Sequence, residues 1–270
     1  MSQKIITKGR EKYFFRFSLH QRVQHIILFS SVILLSLTGF PLKYSDSWWA
    51  QPLYNFFGGI PTATMIHRFT GLVILALFLY HTSTFIYSYA MRLKFLMKSR
   101  SLSLTSAVKA FLTMEMIPNK RDLKDFFEHM LYLLYLRDQK PRYARMSWKE
   151  KFDYFAPYWG LPIVGTAGLI LWFREAVSQF LPGIVFNAAY IMHTDEVLLA
   201  VLYLSFIHWY NVHYAPEKFP MATVFLSGHL SEEEMTVEHY GEYERVMKKE
   251  GRAVEIKPQP KDLKGERFIE

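Results

Sequence analysis

Four histidines fall inside two long apolar stretches, at spacings that suit a pair of membrane helices gripping flat metal macrocycles. His193 and His208 lie in NAAYIMHTDEVLLAVLYLSFIHWYNVHYAP, fifteen residues apart. On an α-helix that is roughly 22 Å of rise and about 60° of rotation, so the two occupy neighbouring parts of one face. His67 and His81 lie in MIHRFTGLVILALFLYHTSTF, fourteen residues apart, or roughly 21 Å with about 40° of twist in the opposite sense. Ionisable groups within a membrane span are expensive and need a physical reason. If the two segments run antiparallel, His67 meets the height of His193 and His81 that of His208. An iron held by two neutral imidazoles is six-coordinate, has no open site and passes single electrons. Zinc requires ligands converging on one tetrahedral point, whereas these positions are some 20 Å apart along each helix. The rival readings are a haem-free membrane anchor whose histidines brace helices, and a metal transporter.

The elements that must position these residues are four apolar blocks, at about 23–42, 64–89, 154–172 and 188–212. Each approaches or exceeds the roughly 20 residues that span a hydrocarbon core. The expected fold is therefore all-α: an integral membrane four-helix bundle over 23–215, between a basic N-terminus at 1–22 and a tail at 216–270. The first segment carries Lys4, Lys8, Arg10, Lys12, Arg16 and Arg22 against Glu11, and residues 91–153 carry fourteen Lys and Arg. The other two connectors hold one each, Lys43 and Arg174. That asymmetry predicts cytoplasmic termini in a bacterial or archaeal cytoplasmic membrane, and it explains the basic balance without nucleic acid. No apolar core precedes a small-residue cleavage site near the start, so no cleavable signal is expected. Within 91–153, SAVKAFLTMEM and RDLKDFFEHMLYLLYL read as amphipathic helices on the inner interface. The tail, acidic around Glu232 to Glu234, is expected to be partly disordered. The chain has no cysteine, which excludes disulfides, thiolate-held iron–sulfur clusters and c-type haem in this subunit.

Further candidates surround the four. His25 enters the first span, His20 precedes it, and His213 follows His208 by five residues. Five α-helical residues turn through about 140°, so His208 and His213 are not expected to face one iron; His213 is left to a quinone, a propionate or a further haem. Arg68 is a candidate partner for the carboxylates of the macrocycle beside His67. Asp195 and Glu196 lie within a turn of His193 and would anchor its ring, relay protons or meet a partner. Gly71 and the run from Gly165 to Gly168 leave room for close packing or for a porphyrin.

The stretches RVQHIILFSSVILLSLTGF, IHRFTGLVIL, EKFDYFAPYWG, GTAGLILWF and MHTDEVLLAVLYLSFIHWYNVHYAPEKFPM together resemble the membrane cytochrome b subunits of formate dehydrogenases, nickel–iron hydrogenases and thiosulfate-reductase-like complexes. The likeness spans about residues 14–228, and the last stretch looks most like the branch found beside multihaem cytochromes c. It implies two b haems, with His67 and His193 on the outer iron and His208 with His25 on the inner one. His81 departs from that pattern; cytochrome bc complexes, which take both pairs from two helices, would choose His81 with His208. If both served, a third haem using His213 would follow. The resemblance also implies a menaquinone or ubiquinone on the cytoplasmic side, around Ser147 to Lys151 and His208, and a periplasmic redox partner such as a multihaem cytochrome c or an iron–sulfur protein. The chain would be an electron-transfer subunit without a catalytic centre beyond quinone exchange.

Overall fold

A computed structural model describes residues 5–8, 11–215 and 218–251. The chain begins as a hairpin of β1 (Ile5–Lys8) and β2 (Glu11–Phe15) and enters α1 (Leu19–Lys43), the short α2 (Ala50–Phe56) and α3 (Ile60–Lys98). After α4 (Leu104–Leu112) and α5 (Lys120–Leu133) come α6 (Trp148–Trp172), a single turn α7 (Arg174–Val177) and α8 (Ile184–Tyr203). Two π-helical turns, Leu204–His208 and Tyr210–Tyr214, prolong α8. A turn α9 (Val224–Ser227), β3 (His229–Ser231), α10 (Glu232–Glu238) and α11 (Tyr240–Lys249) complete the described chain.

The four expected spans are helices long and apolar enough to cross a bilayer: Leu19–Lys43, Ile60–Lys98, Trp148–Trp172 and Ile184–Tyr214. The protein is a multi-pass, all-α membrane protein. A helix satisfies its own backbone hydrogen bonds, which is why apolar sequence in lipid takes this form. Large side chains such as Phe29, Ile33 and Leu37 on α1 and Leu72, Leu79 and Ile86 on α3 point outward, where hydrocarbon replaces water. The buried positions of α1 are instead Gln24, Ser31 and Thr38, with Pro41. Spaced by seven residues, the three polar side chains form one line along the helix. The helices extend past the expected spans, most of all α3, whose 39 residues make it about 58 Å long against a hydrocarbon core of about 30 Å.

Two compact units divide the chain, one of Leu19–Ser88 with Ala156–Ala215 and the other of the remaining residues. In the tail, residues 218–251 are folded into the second unit, while 252–270 lie outside the described residues. β3 pairs antiparallel with β2, Leu230 opposite Phe14, and β2 pairs with β1. Phe14, Leu230, Met235, Tyr243, Val246 and Met247 form one buried cluster. These apolar residues are scattered among charges, so a reading of average polarity misses them. The acidic run that suggests disorder is the first turn of α10, where acids favour a helix N-terminus. Ser231 accepts from the Glu234 amide while Glu234 accepts from the Ser231 amide at 2.7 Å, a reciprocal cap. The connector helices lie where expected, α4 starting on a Ser103–Ser106 capping box and α5 on Asn119–Asp122.

The same unit encloses charge. Arg16 is 2% exposed and donates to Glu150 at 2.6 Å, and the buried His239 donates from Nδ1 to the Ala144 carbonyl at 3.1 Å. Burial, reinforced by the Arg16 guanidinium, lowers His239 to about 4. In the unfolded chain an imidazole titrates near 6.5, so below that pH only the unfolded chain takes the proton. The stabilisation is complete above 6.5 and is lost as pH falls towards 4, by about 3 kcal/mol in all. Hydrogen-exchange protection of β2, β3 and α11, taken relative to the intrinsic amide rate at each pH, should fall between pH 7 and 4.5 in the native chain, with a shallower slope in His239→Gln. Equal slopes in the two proteins would remove His239 as the cause.

Candidate functional site

At the α1 C-terminal end of the bundle the rings of His67 on α3 and His193 on α8 face each other, centroids 6.1 Å apart and planes at 75°. Both are half-buried, and both are held in the same manner. His193 donates from Nδ1 to the Val164 carbonyl of α6 at 2.9 Å. His67 places Nδ1 3.1 Å from the Thr38 hydroxyl, which itself donates to the Leu34 carbonyl at 2.7 Å and therefore accepts from the imidazole. Fixing the proton on Nδ1 turns the lone pair to Nε2, the arrangement that metal-binding imidazoles use.

Each ring rests on a glycine of a neighbouring helix. A Cβ on Gly39 of α1 would stand 2.8 Å from His67 Cε1, and one on Gly168 of α6 would stand 2.9 Å from His193 Cε1. Any larger residue would displace the imidazole. Two imidazoles bound at about 2 Å on opposite sides of one iron have centroids roughly 6 Å apart. The separation of the pair, 6.1 Å, is close to that value, and each ring is anchored through Nδ1 beside a glycine.

The other histidines gather toward the opposite end, some 21 Å along α1 from Gly39 to His25. His25 interacts electrostatically with His208 first and His213 second. The α-helical rotation expected between His208 and His213 does not apply, because π-turns lie on either side of Trp209. The Trp209 amide bonds to the Leu204 carbonyl and the Ala215 amide to the Tyr210 carbonyl. Such i to i+5 bonds bring residues five apart back to nearly one face. His208 and His213 therefore share a side of the helix, toward His25.

His81 belongs to a different group. Its Nδ1 donates to Gln24 Oε1 at 2.6 Å, and the Gln24 amide meets the His20 ring at 2.8 Å. His20 also bonds the Tyr80 hydroxyl at 2.8 Å, and Tyr158 lies with its ring centroid 6.0 Å from that of His81. The result is a chain of four polar side chains linking the start of α1 to the middle of α3. Among the described residues, no three His, Asp or Glu converge where one metal ion would be held.

The supporting residues divide. Arg68 lies 5.3 Å from the centroid of Trp172 and lines an open cavity of about 470 Å³ with Ile60, Thr64, Met65 and Phe69. Asp195 does not anchor His193, which uses Val164; it pairs with Lys43 and accepts from Thr194. A Cβ added at Gly71 would have nothing within 4 Å, and one at Gly165 would meet only Leu75 at 3.7 Å. Gly168 alone among the expected glycines touches a histidine, while Gly39 and Thr38 join the site without any signal in the pattern of the first span. In the connector, Lys151 is taken up by Asp122 at 2.8 Å and the Ile117 carbonyl at 3.3 Å. Ser147 is buried and bonded to Glu150. Compared with models of known protein families and with curated proteins, the chain matches none.

Proposed function

We propose that the chain is a b-type membrane cytochrome subunit, carrying electrons across the bilayer between quinone or quinol near the cytoplasmic face and a redox protein on the other side. The observation that carries this reading is the facing pair His67 and His193, ring centroids 6.1 Å apart, each oriented through Nδ1 and seated on a glycine. Haem b, when bound, supplies a six-coordinate iron that cycles by one electron. His67 and His193 hold the outer haem, Thr38 and Val164 set their orientation, and Arg68 at the mouth of its cavity is available to a propionate carboxylate. His25 and His208, which interact electrostatically, hold the second haem, with His213 beside His208 on the same helix.

His81 is then released for other work. The hydrogen-bonded run of Tyr80, His20, Gln24 and His81 supports the headgroup of menaquinone or ubiquinone, whose carbonyl oxygens gain and lose protons with each electron pair. The connectors rich in Lys and Arg support a cytoplasmic location for this end. The partner on the far side is a multihaem cytochrome c or an iron–sulfur protein.

The test is the visible spectrum of the full chain purified from membranes with haem supplied during growth. Sharp bands on reduction and two haems per polypeptide by pyridine complex are the expected result. Purified, folded chain without bands and without iron would end the reading in favour of a haem-free anchor or transporter.

A further inference from the structure

The last ten residues of α3 lie beyond what the hydrocarbon core requires, and α4 folds back against them. The Tyr89 hydroxyl donates to the Ala107 carbonyl at 3.2 Å, Arg92 donates to the Ala110 carbonyl at 3.3 Å, and the Tyr89 and Phe111 rings meet edge to face at 5.7 Å. Between the two helices runs an open groove of about 530 Å³, lined by Met91, Arg92, Phe95, Leu96, Lys109 and Ala110 among others. That volume lies within the roughly 300–1,000 Å³ typical of sites for a single small ligand. Its floor is apolar and its rim is cationic. From Tyr89 to Met114 the chain carries Arg92, Lys94, Lys98, Arg100 and Lys109 and no acidic residue. Leu104, Val108 and Leu112, spaced by four along α4, are all exposed, so this helix presents an apolar stripe to whatever surrounds it.

Height decides what that surrounding is. A helix of 39 residues is about 58 Å long, whereas core and headgroup layers together are about 40–45 Å thick. A spanning α3 therefore passes through at least one headgroup layer, and its basic end, unlike its start, carries the cations that suit the phosphates there. We propose that the α3–α4 groove is a binding site for one anionic phospholipid, its phosphate on Arg92 and Lys109 and one acyl chain along Met91, Phe95 and Leu96. The inference is independent of haem or quinone binding.

The experiment is native mass spectrometry of the full chain extracted from vesicles of equimolar phosphatidylcholine and phosphatidylglycerol. One retained phosphatidylglycerol is expected, favoured over phosphatidylcholine by on the order of tenfold, since each cation near the headgroup layer contributes to anion preference. In the Arg92→Gln/Lys109→Gln double variant the preference should fall to about twofold or less. Ala110→Leu keeps the charges but fills the floor, and should lose the retained lipid of either kind. Lys98→Gln, basic but outside the groove, should behave as the native chain. Equal retention of the two lipids by the native chain, preference persisting in the double variant, or lipid persisting in Ala110→Leu would each overturn the proposal.

Discussion

Replacing His67 by alanine is expected to halve the haem carried per polypeptide, and replacing His193 should do the same. The double variant should lose no more than either single one, because residues sharing one partner are not additive. Both consequences follow from the proposal that the paired rings, 6.1 Å apart, serve a single iron. At the other end of the bundle His25→Ala should remove the remaining half, since His25 interacts with His208 and His213. His81→Ala should keep full haem content, because His81 is engaged by Gln24 at 2.6 Å. Haem per polypeptide by pyridine complex measures all five. Loss of haem from His81→Ala with full retention in His25→Ala would transfer the ligand role and undo the quinone assignment.

The second large effect comes from adding a single methyl group. Gly39→Ala places a carbon 2.8 Å from His67 Cε1, and Gly168→Ala one 2.9 Å from His193 Cε1, well inside normal contact. The atoms met belong to the imidazoles themselves, each held by its Nδ1 hydrogen bond, so the imidazole must leave that position. Overpacking of this kind typically costs about 1–3 kcal/mol, which converts to roughly fivefold to 150-fold weaker binding. Gly71→Ala is the control: nothing lies within 4 Å of the added carbon, and replacing a helical glycine gains about 0.5–1 kcal/mol. Followed at the haem absorption band during heating, Gly39→Ala and Gly168→Ala should release haem well below the native temperature and Gly71→Ala at or above it. If all three release haem together, the glycines are packing elements unrelated to the pair.

The four spans are legible in the sequence because twenty consecutive apolar residues leave few alternatives to a membrane helix, and the depth of His67 and His193 follows from helix rise. Their mutual approach is a matter of which faces four helices turn inward, and only Thr38 and Gly39 of α1 with Val164 and Gly168 of α6 settle that. Thr38 blends into VILLSLTGF, yet it is fully buried and bonded to the His67 ring. Gly71, prominent within IHRFTGLVIL, faces nothing. The spacing of His208 and His213 misleads because α-geometry does not hold where the hydrogen bonds run from i to i+5. The sheet of β1, β2 and β3 joins segments more than two hundred residues apart, through Phe14 opposite Leu230, a pairing that no local pattern carries.

The widened turns from Leu204 to Tyr214 have a further implication for how this helix tolerates change. A π-turn stores one residue more per winding than the coil that precedes it, so excising a single amino acid there would let the segment rewind to regular pitch without shortening the span appreciably. His213 would then swing off the side it shares with His208, while His193, upstream of the excision, would keep its aim. One-residue length variants in this stretch thus separate the two groups of histidines, altering the one around His208 and sparing the pair of His67 and His193.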